Sequence, residues 1–332
     1  MFNGSKLQKF ALLLALIFVA SAVIAGVIYA VQYGSTGFSA INFNSDSVKG
    51  GTNVDEERTE ALQGISSISI EGVSEDIKLI PVETDEVKAH FYGNYSSTNA
   101  DFKPELIVER TGSSLKIKIQ YKPNLRVMNY RANLNLDVYI PKQFTDNLEL
   151  KSTSGDIDAD ELILESFKYN NVSGNLNVDR INAKKATFVT VSGEVAIEGL
   201  FDSFSFDSVS GYLSSDNFES KASNLDTTSG EIKLAGNPGD ITATSVSGNL
   251  ALTYSSFANK IGAVTTSGEV TIKLPENAGF SLDYATISGD ADCAFPITVT
   301  GNKKGNSLKG TVGSGDGTIN VTTVSGNLEI QK

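Results

Sequence analysis

The chain has one cysteine, Cys293, one histidine, His90, no tryptophan, and fewer cations than anions. A lone cysteine excludes an intramolecular disulfide and any metal site of paired-cysteine spacing. Its neighbour Asp292 works against a reactive thiolate, so Cys293 reads as a small buried apolar residue. With one histidine, no second base placed by motif and no nucleophile-elbow serine, a hydrolase triad is not expected. His90, in Val87-Lys88-Ala89-His90-Phe91, reads as an outward strand position. The net charge of −12 over 332 residues, with no basic stripe, excludes nucleic acid as a partner, because counterion release needs clustered Lys and Arg. After residue 33 no segment sustains a 3.6-residue apolar period, so helices are not expected there.

What is present begins with an uncharged, apolar run over residues 10–32. As a helix it would span roughly 34 Å, enough to cross a hydrocarbon core of roughly 30 Å. Lys6 and Lys9 precede it and Lys49 is the first cation after it. That asymmetry predicts a single-pass anchor with residues 1–9 as a cytoplasmic tail and the rest of the chain outside the cell membrane. A cleaved signal peptide ending near Ala20-Ser21-Ala22 competes, but the apolar run continues through Val23, Ile24, Val27, Ile28 and Tyr29. Residues 33–64, rich in Gly, Ser, Asn and charge, read as a flexible linker.

From Ile65 onward apolar residues alternate, as in Ile68/Ile70, Ile77/Leu79, Leu115/Ile117/Ile119 and Leu134/Leu136/Val138/Ile140, which is the period of half-buried strands. Within residues 151–332 a Val-Ser-Gly motif recurs, with glycines at 155, 174, 193, 211, 230, 248, 268 and 289, in steps of 19, 19, 18, 19, 18, 20 and 21. Gly326 follows Gly289 by 37. Residues 65–150 are less regular. Val73-Ser74-Glu75 reads as a degenerate first copy with Glu75 in place of the glycine.

Aligned on the motif serine, the copies share four columns. Two before it the residue is small and polar (Ser152, Asn171, Thr190, Ser208, Thr227, Ser245, Thr265, Thr286, Thr323). One before it the residue is β-branched. One after the glycine the column is polar except at Tyr212, and the next is apolar (Ile157, Leu176, Val195, Leu213, Ile232, Leu250, Val270, Ala291, Leu328). A fixed period with invariant columns predicts stacked units, about 4.8 Å apart. The expected fold is all-β, a β-solenoid of coils of about 18–19 residues; an antiparallel meander with Ser-Gly hairpins competes. The glycines are expected at corners with φ > 0, and the small polar column as a hydroxyl ladder bonded to turn backbone. Phe167, Tyr169, Phe188, Phe204 and Phe206 recur in phase and are expected in the core; Tyr212 is the residue to test for recognition.

The anchor, the stretch Val73–Pro81 and the Val-Ser-Gly-Asn/Glu-Leu/Val units resemble the bacterial toast-rack putative adhesin family, over residues 65–332. The resemblance implies a stacked-strand ectodomain on a bacterial surface and carries no catalytic signature. No catalytic, cofactor-binding or metal-ligating residue is assigned and no cofactor is expected. Calcium candidates are Asp156, Asp158 and Asp160, on one strand face, and the single stretch Gly313-Ser314-Gly315-Asp316-Gly317; a solvated acidic edge explains the aspartates as well. The expected function is non-enzymatic: a membrane-anchored cell-surface protein using its β-repeat domain for adhesion or envelope contacts, with a cell-wall, surface polysaccharide or protein ligand. The alternative is an accessory or sensor subunit of a cell-envelope stress system.

Overall fold

The computed structural model describes residues 51–97, 102–121, 130–300 and 307–332. The expected anchor at residues 10–32 lies outside them; no helix among the described residues is long and apolar enough to cross a membrane. Every regular element described is a β-strand. The chain divides into two compact units, described over 51–184 and 185–332.

In the 185–332 unit each turn of the chain lays a strand in parallel on the turn before it. The apolar column falls into register as Val195↔Leu213↔Ile232↔Leu250↔Val270↔Leu328↔Ala291. Most of these side chains are almost fully buried, so the column is a continuous core stripe. Parallel pairing at one-coil steps decides for the solenoid and against the meander, whose pairs would be antiparallel. The second strand of each coil stacks likewise, Ala222–Thr227 against Asp240–Ser245 and that against Lys260–Thr265. Between the two rows Phe188, Phe201, Phe204 and Phe218 pack ring to ring at 4.9–5.3 Å between centroids. Phe188, Phe204 and Phe206 are core residues, as expected.

The stacking order departs from the chain order. The last coil, Gly317–Thr323 and Leu328–Gln331, lies between the Lys260–Thr265/Val270–Lys273 coil and the Phe280–Ala285/Ala291–Cys293 coil. The 37-residue step to Gly326 is therefore an excursion: the chain builds an outer coil and a hairpin, then returns to fill the slot beneath them.

The 51–184 unit repeats that device at its own end. The coil Ser67–Glu71/Asp76–Val82 pairs in parallel on one side with Ser114–Gln120 and Tyr130–Pro141, which come later in the chain. On the other side it pairs with Asn147–Ser152 and Ile157–Ala159. Antiparallel strands close the two sheets outward, Glu86–Ser97 and Thr52–Ala61 on one and Glu105–Thr111 on the other. Thr52–Ala61 falls within the stretch expected to be a flexible linker. It is a ten-residue outermost strand, and its charges are held: Lys88 meets Glu57 at 2.7 Å, Lys103 meets Glu56 at 3.2 Å and Arg110 meets Glu60 at 3.1 Å. A charged edge strand resists pairing with a second chain, which is why its composition imitates a linker. Residues 33–50 lie outside the described part.

The corner glycines correct the expectation of positive φ. Of the motif glycines only Gly193 has φ in the left-handed range, at +123°. The others are glycine because the coils approach too closely for a side chain. A Cβ at Gly230 would lie 2.0 Å from the Gly211 carbonyl oxygen, at Gly248 2.0 Å from that of Gly230, and at Gly268 2.0 Å from that of Gly248. Gly262, within Lys260–Thr265, is the natural control: its φ is ordinary and a Cβ would meet nothing nearer than 3.8 Å. Gly230→Ala should therefore lower unfolding stability by about 1–3 kcal/mol, the usual cost of overpacking. Gly262→Ala should be neutral or slightly stabilising, since alanine loses less backbone entropy. Urea unfolding midpoints of the two variants check this; equal losses would remove the close-approach argument.

Candidate functional site

Most corners are hydrogen-bonded devices in which the small polar residue two before the serine accepts the glycine N–H three residues on: Ser208 from Gly211 at 2.6 Å, Thr227 from Gly230 at 2.9 Å, Ser245 from Gly248 at 2.7 Å, Thr265 from Gly268 at 2.8 Å and Thr323 from Gly326 at 2.7 Å. The hydroxyl ladder expected from sequence is present. Between coils the serine N–H donates to the carbonyl of the β-branched residue one coil away, as in Ser229 to Val209 and Ser247 to Thr228, both 2.8 Å.

The polar column after the glycine has a role beyond solvation. Where it holds Asp or Asn, the side-chain oxygen accepts the backbone N–H of the same position in the next coil. Asp156 takes Asn175 at 2.8 Å, Asn249 takes Glu269 at 3.0 Å and Asn327 takes Asp290 at 3.0 Å. Tyr212 can stand in this column because its own N–H donates to the Gly193 carbonyl at 3.0 Å. Its ring is half-buried at the outer surface, opposite Glu194.

Two features escaped the sequence reading. Glu75 is fully buried and its carboxylate accepts the N–H groups of Val73, at 2.7 Å, and Ser74, at 3.1 Å. The Tyr121 hydroxyl donates to its other oxygen. This first corner has Gly72 where the others have a small polar side chain, so the carboxylate replaces the missing acceptor. The absent hydroxyl at 72 was the available signal. Burial and the nearby Glu75 charge push the Tyr121 phenol well up. The second feature is an ion-pair ladder on the outer face of the same unit: Lys116–Glu71 at 2.8 Å, Glu71–Lys151 at 3.5 Å, Lys151–Glu149 at 2.9 Å and Glu149–Lys168 at 3.1 Å. It needs the strand order to be seen.

The remaining candidates are placed as follows. Asp156, Asp158 and Asp160 do share an exposed strand face. Asp156 is engaged with the Asn175 backbone, and burial together with the Asp156 and Asp158 charges raises the Asp76 pKa. Among the described residues no three His, Cys, Asp or Glu side chains are grouped so as to hold a metal ion. Gly313 to Asp316 form a turn with φ +54° at Gly313 and +73° at Gly315, the Ser314 hydroxyl bonding Asp316. His90 meets Asp55 at 2.8 Å and stacks on Tyr92 at 4.6 Å, at the sheet's outer strands. Cys293 is half-exposed rather than buried, because it lies on a three-residue outer strand; burial and Asp292 still push its thiol up. A cavity beside Leu225, Ala243, Ala263 and Val270 has about 10 Å³, about the least that holds one water.

Parallel coils closed by glycine corners, with polar columns spent on backbone bonds, define a stacked-strand repeat domain. The chain belongs to the Toastrack DUF4097 family, whose model matches residues 65–331. No curated protein matches it. A solved structure described as a putative adhesin from Parabacteroides merdae is 11% identical, with a TM-score of 0.53 over 84% of this chain and 96% of that one. A putative adhesin from Bacteroides fragilis is 12% identical, with a TM-score of 0.46 over 84% of this chain and 97% of that one. A putative cell adhesion protein from Clostridium sporogenes is 16% identical, with a TM-score of 0.23 over 84% of this chain and all of that one. The first of these carries the shared fold.

Two predictions follow from the bonded side chains. Thr227→Val keeps the shape but strands the buried Gly230 N–H, so it should cost about 1–3 kcal/mol; an unchanged melting temperature would mean the hydroxyl is not an acceptor there. Glu149 provides the second. Burial opposes its charge, but the hydrogen bonds and charges of Lys151 and Lys168 outweigh burial and lower its pKa below 4.5. A lowered folded pKa gives stability that is present above the unfolded value and lost as pH falls through the folded one. The wild-type unfolding midpoint should thus fall more steeply than that of Glu149→Gln between about pH 5 and about pH 3, and parallel curves would refute the coupling.

Proposed function

We propose that this chain is a non-enzymatic, single-pass membrane protein whose β-repeat ectodomain stands outside the cell and makes adhesive or envelope contacts. The observation that carries the reading is the use of the repeat itself. The recurring hydroxyls, glycines and Asx residues are consumed in closing the corners and holding coil to coil. What varies from coil to coil lies on the outer faces, the surface open to a ligand. Family membership and the Parabacteroides merdae structure, described as a putative adhesin, support the same reading. The ligand class is a cell-wall component, surface polysaccharide or surface protein. Tyr212 is the residue proposed to contact it, as an aromatic in an otherwise polar outward column.

The test has two arms. Protease added to intact cells should remove the domain beyond about residue 50 if the lysine asymmetry orients the anchor as argued; a protected C-terminus would overturn that orientation. In whole-cell or isolated-wall binding, Tyr212→Ser should weaken attachment while leaving the melting temperature unchanged, and Thr227→Val should lower stability first. Attachment unaffected by Tyr212→Ser would remove Tyr212 from the contact.

A further inference from the structure

The outer coil of the 185–332 unit is joined to the rest through the last coil. Phe280–Ala285 pairs with Gly317–Thr323 on one side and with Leu308–Val312 on the other, and Leu308–Val312 pairs onward with Thr298–Val299. Ala291–Cys293 pairs with Leu328–Gln331. None of these outer strands is paired, among the described residues, with a strand that precedes Phe280. The last coil alone touches both sides, through six register pairs from Lys260–Thr265 and four from Val270–Lys273. Beyond the strands, the Phe280 ring meets Phe257 at 6.4 Å.

The last coil and the outer coil are also tied to each other. The turn at Gly313–Asp316 carries the chain across the start of Phe280–Ala285, from its antiparallel neighbour on one flank to its parallel neighbour on the other. The turn passes so close that a Cβ at Gly279 would lie 2.4 Å from the Ser314 hydroxyl, and the Gly317 N–H donates to the Gly279 carbonyl at 2.9 Å. The Tyr284 hydroxyl donates to the Gly326 carbonyl at 2.9 Å, binding an outer-coil core residue to the last corner.

We propose that Phe280–Ala285, Ala291–Cys293, Leu308–Val312, Gly317–Thr323 and Leu328–Gln331 form one closing module. The module docks on the Lys260–Lys273 coil as a piece, and the C-terminal residues are its key. The strand latest in sequence, Leu328–Gln331, lies in an interior coil, so the outer coil does not fray residue by residue. The module opens and shuts as a unit, and it takes its final strand order only once residues up to about 331 are available.

Native-state hydrogen exchange on the full chain, across a denaturant series, tests this. The five strands should share one opening transition, below that of Leu250–Tyr254. Two valine substitutions separate the module from a simple sequential stack. A Cβ at Gly326 would lie 2.1 Å from the Gly268 carbonyl, at the docking seam, and one at Gly289 would lie 2.0 Å from the Gly326 carbonyl, inside the module. Gly326→Val should speed exchange in Phe280–Ala285 as well as in the last coil, by at least about tenfold. Gly289→Val should speed the outer coil and Leu328–Gln331 together, whereas a simple stack would loosen the outer coil alone. An outer coil that keeps its protection in Gly326→Val would overturn the proposal. So would a wild-type chain whose last coil exchanges faster than the outer one, a result that does not depend on either variant folding.

Discussion

The closeness of neighbouring corners governs this fold. With a Cβ at most corner glycines the nearest carbonyl oxygen would be about 2 Å away, far inside any real contact. The coil spacing is thus set by backbone against backbone rather than by side-chain volume. Once the corners are that close, the serine N–H reaches the neighbouring carbonyl and the Asx oxygens reach the neighbouring N–H. The polar groups of a tight turn, which would otherwise be stranded away from water, are met by the neighbouring coil or by the corner's own hydroxyl.

That regularity made much of the fold legible from sequence. The columns predicted stacked β-units, the apolar stripe, the hydroxyl ladder and the buried aromatics, because each is a local pattern repeated at a fixed interval. The conformation at the corners was misread. A glycine demanded by φ and a glycine demanded by a neighbouring carbonyl look the same in a sequence, and only the three-dimensional approach separates them. The edge strand Thr52–Ala61 was misread for a related reason, since charges that protect an open sheet edge also mark an unfolded tether. The order in which the last coil stacks left only one trace, the 37-residue gap before Gly326, and a gap does not say which way the chain returns.

The surface was less legible than the core. Tyr212 stood out as a break in a column, and the structure leaves it at the outer surface with its backbone satisfied. The lysine–glutamate ladder, in contrast, is assembled from strands up to about a hundred residues apart, and no spacing rule reports it. Its partners are partly exposed, so the individual pairs are worth little in stability. Their shared contacts, Glu71 between two lysines and Glu149 between two more, make them a connected network rather than isolated pairs.

The tucked coils at the described ends bear on how such an array changes length. A sequentially wound solenoid grows by adding turns at its tip. Here, in the 185–332 unit, Leu328–Gln331 is flanked on both sides, by Val270–Lys273 and Ala291–Cys293, so the strand latest in sequence is not the tip of the stack. The repeat that can be duplicated without disturbing either the straddling turn or the slot it guards is an interior one, such as the turn between Gly230 and Gly248.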